Sequence, residues 1–249
     1  MSGDRLNGDR LNGDRLNDDG VAHEELTYDE LQQLATARFA WHWDDVQIAG
    51  QRRPLAVASD PDAMLIEACQ RQDAGELNVI DPFWATTWRA AAGLDRYFDR
   101  LDLSGLRVLE LGCGTGHAGL AAAHRRAQCV LTDGVEEPLL LVRMSSWNVR
   151  DRCRVRRLRF AMDRLDEAPF PLIIGSDVTY LRSIWPDLDR ALKDHLAENG
   201  EVLLSDPYRS ICDEFRDWVG DHGWQYEEHR VELADDLKHP IRVMRLTRL

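Results

Sequence analysis

The sequence predicts an α/β fold: a doubly wound, mostly parallel seven-stranded sheet with an antiparallel C-terminal strand and a small N-terminal helix and hairpin addition. Three observations predict it. From about Asp81 onward, apolar runs of strand length alternate with stretches of helix length, which calls for crossover helices and therefore parallel strands. A glycine-rich turn joins the first of these strands to its helix, where open α/β sheets place their ligands. The last two apolar runs, "WQYEEHRVEL" and "HPIRVMRLTRL", have no helix between them. They cannot be a parallel pair, so an antiparallel strand is expected at the end of the sheet.

The elements follow in order. Residues 3–17 are three copies of "GDRLN", too short and too polar a period to stack as a repeat fold, so residues 1–22 are expected to be a disordered tail. Residues 23–80 are expected to form the N-terminal addition. Leu26, Leu31, Leu34 and Phe39 recur at helical spacing, and Thr27 with Glu30 has the capping-box form, which predicts a helix near 27–39. "DDVQIAGQRRPLAVAS" alternates around "AGQRRP" and reads as a hairpin, and "SDPDAMLIEACQRQ" opens with a capping Ser or Asp beside a proline, predicting a helix near 61–72. Residues 81–249 form the main domain. Its helices are "TTWRAAAGLDRYFDRL", "GHAGLAAAHRR", "EEPLLLVRMSSWNV", "WPDLDRALKDHLAE" and "SICDEFRDWVGDHG". Its strands are "LRVLELG", "QCVLTDG", "CRVRRLRF", "FPLIIGSD", "GEVLLSDP" and the two terminal runs.

Composition narrows the function. The 249 residues carry a formal charge of −13, which disfavours a nucleic-acid partner because phosphate binding needs a positive surface. "RDRCRVRRLR" at 150–159 is a basic patch or, more economically, a charged turn leading into a strand whose alternate arginines face solvent. No apolar run is long enough to span a bilayer, so no membrane partner is expected. The N-terminus lacks a basic-then-apolar signal pattern and the five cysteines form no CxxC pair, so reduced thiols and a cytoplasmic location are expected. The histidines show no H-E-x-x-H spacing and the cysteines no zinc set, so no metal is expected. The absence of G-x-S-x-G excludes an α/β-hydrolase. The sequence assigns no oligomeric state.

The chemistry concentrates in "VLELGCGTGHAGLAAA". "GTGHAG" satisfies the dinucleotide pattern G-x-G-x-x-G, and Asp133 ends the next strand about 20 residues on, as a ribose-binding nicotinamide site also requires. In the dinucleotide version, however, the first glycine follows directly on the strand, whereas Gly114 comes later. The other frame is E-x-G-x-G-x-G over Glu110, Gly112, Gly114 and Gly116. It puts a carboxylate at the mouth of the loop, where an anion repels a diphosphate and suits a ligand carrying ammonium and sulfonium charges.

This stretch resembles motif I of the class I, seven-strand S-adenosylmethionine-dependent methyltransferases, a Rossmann-like family. "DPFWATTWRAAAGLDRYF" is similar to the tryptophan-containing helix start of the family's protein-lysine methyltransferase group, which includes the enzyme acting on the β subunit of electron transfer flavoprotein. "GSDVTY" at 175–180 resembles that group's D-x-x-Y element, and "SDPYR" at 205–209 its segment after the next strand. The resemblance spans Asp81 to Leu249. It implies S-adenosylmethionine as cofactor, S-adenosylhomocysteine as product, and an amine acceptor, either a protein lysine or a small molecule. An idle cofactor-binding interaction module is the remaining alternative.

The resemblance also implies roles. Gly112, Cys113, Gly114, Thr115 and Gly116 would bring backbone close to the cofactor, Glu110 would lie near its amino group, and Asp133 would hold the ribose hydroxyls or cap a helix. Phe160 would wall the adenine, although Arg159 stands where members of the family often have an acid. Trp84 and Trp88 would wall the cavity or pack in the core. Asp177 would position the acceptor amine and contact the cofactor, and Tyr180 would be a pocket wall, a hydrogen-bond partner or a packing residue. Residues 24–60 are a candidate lid or recognition element.

Overall fold

The computed structural model describes residues 26–77 and 79–249. The expected tail over 1–22, repeats included, lies outside the described residues. Helix α1 (Tyr28–Arg38) begins as its capping box dictates: Thr27 Oγ1 accepts the Glu30 N–H at 3.4 Å, and Glu30 Oε2 accepts the Thr27 N–H at 2.7 Å. Strands β1 (Trp41–Ile48) and β2 (Gln51–Ala58) pair antiparallel through a two-residue turn in which Ala49 and Gly50 both have positive φ, as a tight hairpin requires. Helix α2 (Pro61–Asp73) is capped by Asp60 Oδ1 on the Ala63 N–H at 2.9 Å, with proline in its first turn.

A short 3₁₀ turn (Phe83–Ala85) then leads into α3 (Arg89–Tyr97). The chain continues as β3 (Arg107–Leu111), α4 (His117–His124), β4 (Gln128–Asp133), α5 (Glu136–Ser145), β5 (Cys153–Arg157) and β6 (Phe170–Ser176). It ends with α6 (Trp185–His195), β7 (Leu196–Asp206), α7 (Ile211–Asp221), β8 (Trp224–Leu233) and β9 (Asp236–Arg248). The seven-stranded sheet has the order β5-β4-β3-β6-β7-β9-β8, with β9 antiparallel to both neighbours. Strand order reverses between β3 and β6, so the loops after these two strands splay apart and open a crevice at their carboxyl ends.

The sheet is covered on both faces. Along β3, Val108 packs with α3, α4 and the hairpin (Leu94, Ala121, Leu55, Val57), while Leu109 and Leu111 pack with α6 and α7 (Trp185, Leu188, Phe215). Period-two alternation therefore sends Glu110 to the α4 face. A third cluster joins α1 to α5 through Leu31, Ala35, Leu140 and Met144.

Four differences from the sequence reading have physical causes. The antiparallel strand does not close the sheet: β9 lies between β7 and β8, because the tight turn at 234–235 folds β9 back along β8 and it then pairs with β7. The strand expected over "CRVRRLRF" ends at Arg157, where the Leu158 N–H turns to the Asp133 carbonyl at 2.9 Å. The helix expected to reach Glu198 ends at His195, since Leu196 is buried as the pairing partner of Phe170. Finally, the hairpin supplies Ile48, Leu55 and Val57 to the main core. Asp95 of α3 ties it down, accepting the Ala49 N–H at 3.0 Å and Arg125 at 2.6 Å. The hairpin thus packs against the main domain's core.

Among the described residues, no helix is long and apolar enough to cross a membrane, and no group of three potential ligands could hold a metal ion.

Candidate functional site

The loop from β3 to α4 is shaped by its glycines. Gly112, Gly114 and Gly116 all have positive φ, at 62°, 49° and 79°, a region costly for residues with a Cβ. At Gly112 a Cβ would also sit 2.9 Å from Val178 Cγ1, and at Gly116 it would press on Val142 at 3.0 Å. The loop therefore packs closely both toward β6 and back against α5.

Asp133 closes β4 and braces the same loop, accepting the Gly114 N–H at 3.0 Å on one oxygen and the Val135 N–H at 3.0 Å on the other. It caps no helix in the side-chain sense, because the N-cap of α5 is Val135, without a side-chain cap hydrogen bond. Burial raises its pKa, and the backbone donors from Gly114 and Val135 oppose the rise.

Between the loops lies a cavity of about 420 Å³. Gly112 and Gly114 form one side, Asp133, Gly134 and Val135 the floor toward β4, and Leu158, Arg159 and Phe160 the end beyond β5. The segment before α3 contributes Ile80, Asp81, Phe83, Trp84 and Trp88, and the far side carries Asp177, Val178 and Tyr180 with Asp187. Among the described residues, the aromatic rings of Phe83, Trp84, Trp88, Phe160 and Tyr180 and the carboxyls of Asp81, Asp133, Asp177 and Asp187 line the cavity, against one cation, Arg159, which is held bidentate by Asp163 at 2.9 Å. Such a surface suits a cationic ligand.

Asp177 is the most constrained of these acids. It has a φ of 56°, is 7% exposed, and anchors its N–H on the Ser205 carbonyl at 2.9 Å. One carboxylate oxygen accepts from Arg209; the other, Oδ2, is buried without a hydrogen-bond partner among the described residues. Burial raises its pKa, and Arg209 opposes the rise. The loop beyond is fixed by Trp185, whose Nε1–H donates to the Thr179 carbonyl at 2.9 Å. Tyr180 meets Phe83 edge to face at 5.9 Å, and burial raises its pKa. Trp88 is 36% exposed and donates its indole N–H to the Phe83 carbonyl at 2.8 Å. Trp84 meets Phe39 at 5.5 Å, linking this wall to the chain just past α1.

Of the residues singled out in the sequence, Trp84, Trp88, Gly112, Gly114, Asp133, Phe160, Asp177 and Tyr180 share this cavity. Glu110, Cys113, Thr115 and Gly116 do not line it; Glu110 belongs to β3 and the other three to the loop itself, with Glu110, Cys113 and Thr115 all buried. Glu110 Oε2 accepts the Gly119 N–H at 3.1 Å in the first turn of α4. Burial raises the Glu110 pKa to about 8, and the carboxyls that line the cavity itself are Asp81, Asp133, Asp177 and Asp187. Sequence reasoning gave no role to Arg209, Asp81, Phe83 or Asp187. The signal for Arg209 was available in Asp206-x-x-Arg209 directly after a strand, a spacing that returns a side chain to the strand end.

Comparison with known proteins agrees with this architecture. The chain is 33% identical over 142 residues to the mouse protein N-lysine methyltransferase METTL21A, covering 54% of this chain and 63% of that protein. It is 26% identical over 164 residues to the zebrafish electron transfer flavoprotein beta subunit lysine methyltransferase, covering 64% and 61%. The matched segments span less than two thirds of these relatives. Among solved structures, the glycopeptide N-methyltransferase MtfA complexed with S-adenosyl-L-homocysteine superposes with a TM-score of 0.57 at 14% identity, covering 64% of this chain and 87% of that one, a likeness of fold. A lysine methyltransferase family profile matches residues 78–215, more than half of the chain, and the protein belongs to that lysine methyltransferase family.

Proposed function

We propose that the protein transfers a methyl group from S-adenosylmethionine to the side-chain nitrogen of a lysine in a protein substrate. The observation that carries this reading is the cavity at the β3/β6 switch point, where carboxylates and aromatic rings face one another and Asp177 is buried with one oxygen unpartnered. The residues fit the cofactor: Gly112 and Gly114 bring bare backbone to the cavity wall, where a side chain at Gly112 would press on Val178, and Asp133 and Phe160 line the same cavity and would hold the ribose hydroxyls and cover the flat base. When bound, S-adenosylmethionine supplies an electrophilic methyl group on a sulfonium whose departure as a neutral thioether needs no acid from the protein.

The remaining work is positioning and desolvation, which this chain's residues perform. Asp177 accepts a hydrogen bond from the acceptor nitrogen and fixes its direction, the kind of orientation worth several kcal/mol in an otherwise bimolecular step. Phe83, Trp88 and Tyr180 exclude water around the amine, which favours its neutral, nucleophilic form. The relatives named for protein lysine methylation support a protein acceptor.

Calorimetric titration of the pure protein with S-adenosylmethionine tests the cofactor half. Saturable binding that is lost in Gly112→Val is expected; a wild-type protein that binds no cofactor overturns the proposal. Binding without transfer to any amine would identify an idle module instead.

A further inference from the structure

The chain after β7 carries a cation held by Asp177 of the site and by Asp206 at the end of β7. Tyr208 takes a left-handed φ of 61°, and the turn brings Arg209 back to the strand end. Its N–H donates to Asp206 Oδ1 at 2.7 Å, and its Nη1 lies 3.4 Å from Asp206 Oδ2 and donates to Asp177 Oδ1. The guanidinium carbon stands 5.6 Å from the centre of the Trp88 ring. Asp206 is fully buried, so Arg209 is fixed by an inner acid and an aromatic face while it engages Asp177.

This arrangement has a stereochemical consequence. A carboxylate with both oxygens open matches the two-pronged fork of a guanidinium, whereas a single open oxygen suits the compact ammonium of lysine. In Asp177 one oxygen is engaged by Arg209, and Oδ2 alone is without a partner among the described residues.

We propose that Arg209 is a positioning and specificity residue of the acceptor site: by occupying Oδ1 of Asp177 it leaves Oδ2 alone for the substrate, admitting a lysine nitrogen and disfavouring an arginine guanidinium. The inference rests on the reading of this cavity as a methyl-acceptor site. The charged and titratable groups around Asp177 are Arg209 and Asp206 from the end of β7, Tyr180 on its own loop, Asp187 on the same side of the cavity, and Asp81 and Asp133 across it. Asp206 favours the protonated form of Asp177, and Arg209 is the cation that opposes it.

The test uses the full chain labelled with ¹³C at its aspartate carboxyls, with the Asp177 signal assigned from its loss in Asp177→Asn. Wild type, Arg209→Met and Arg209→Lys are titrated with pH, then with n-butylamine and n-butylguanidine at fixed pH. Arg209→Met is expected to raise the Asp177 midpoint by about one unit or more, a tenfold change in ionisation, and Arg209→Lys to restore most of it. In wild type, n-butylammonium should perturb Asp177 at about tenfold lower concentration than n-butylguanidinium, and Arg209→Met should erase or invert that preference. An unchanged midpoint in folded Arg209→Met, an unchanged probe preference, or no perturbation of wild type by either probe overturns the proposal. Methyl transfer to a lysine peptide is measured separately, so a wild type that transfers nothing counts against the proposed activity, while the carboxyl signals still decide the role of Arg209.

Discussion

Replacing Glu110 by glutamine should make the unliganded protein more stable, by an amount that grows with pH. Glu110 is 1% exposed; its Oε2 holds the Gly119 N–H and its Oε1 has no partner among the described residues. Burial is the largest cause of its raised pKa, the Gly119 bond opposes it and the Asp133 charge adds to it, and the value moves from an ordinary 4.5 to about 8. The folded protein therefore keeps this proton up to about pH 8, whereas the unfolded chain releases it near 4.5. Between those values the native state binds more protons than the unfolded state, so this group's contribution to stability falls as pH rises. At about 1.4 kcal/mol per pH unit, the loss between pH 4.5 and pH 7 amounts to about 3 kcal/mol. Glutamine does not titrate and keeps an acceptor for Gly119. Urea unfolding of both proteins at pH 5, 6 and 7 should show the glutamine variant gaining on wild type by roughly 1.4 kcal/mol per unit. A difference that stays constant with pH, or one that moves in favour of wild type, would show that Glu110 is ionised in the fold and refute the reasoning.

Other substitutions separate site from scaffold. Asp177→Asn should leave the melting temperature and cofactor affinity near wild type while lowering methyl transfer by about 100-fold, through lost orientation of the acceptor; equal losses in affinity and rate would place Asp177 in the cofactor half alone. Tyr180→Phe removes only a hydroxyl from an aromatic wall and should cost less than about tenfold in rate, measured by single-turnover transfer. Leu55→Ala should cost about 2–5 kcal/mol by urea unfolding, as expected for a fully buried core leucine; a negligible cost would mean that the hairpin is not part of the core. Gly116→Ala, with a φ of 79° and Val142 at 3.0 Å from the new methyl group, should destabilise by about 1–3 kcal/mol in the same assay.

What was legible in the sequence was whatever local chemistry dictates. The Thr27–Glu30 box and the Asp60–Pro61 start set their helices because each signal is a hydrogen bond within one turn. The parallel core followed from strand and helix periods. The position of β9 between β7 and β8 was not legible, because pairing order among antiparallel strands depends on contacts far apart in sequence. The same limit explains the site. Asp177, Tyr180 and Asp133 stand at strand ends, where the fold class alone points to function, whereas Arg209 acquires its role only because the turn at Tyr208 brings it onto an acid from another strand. Glu110 shows the converse: its place in the motif was clear, but which face of β3 it takes and what charge it carries depend on α4 packing over it.

The most direct measurement is incubation of the pure protein with whole-cell lysate and isotopically labelled S-adenosylmethionine, with Asp177→Asn in parallel, followed by residue-level mass spectrometry. The account predicts labelled methyl groups on lysine side chains of one or a few proteins, absent with the Asp177→Asn protein. Label confined to small amines or to other residue types, or equal with both proteins, would contradict it.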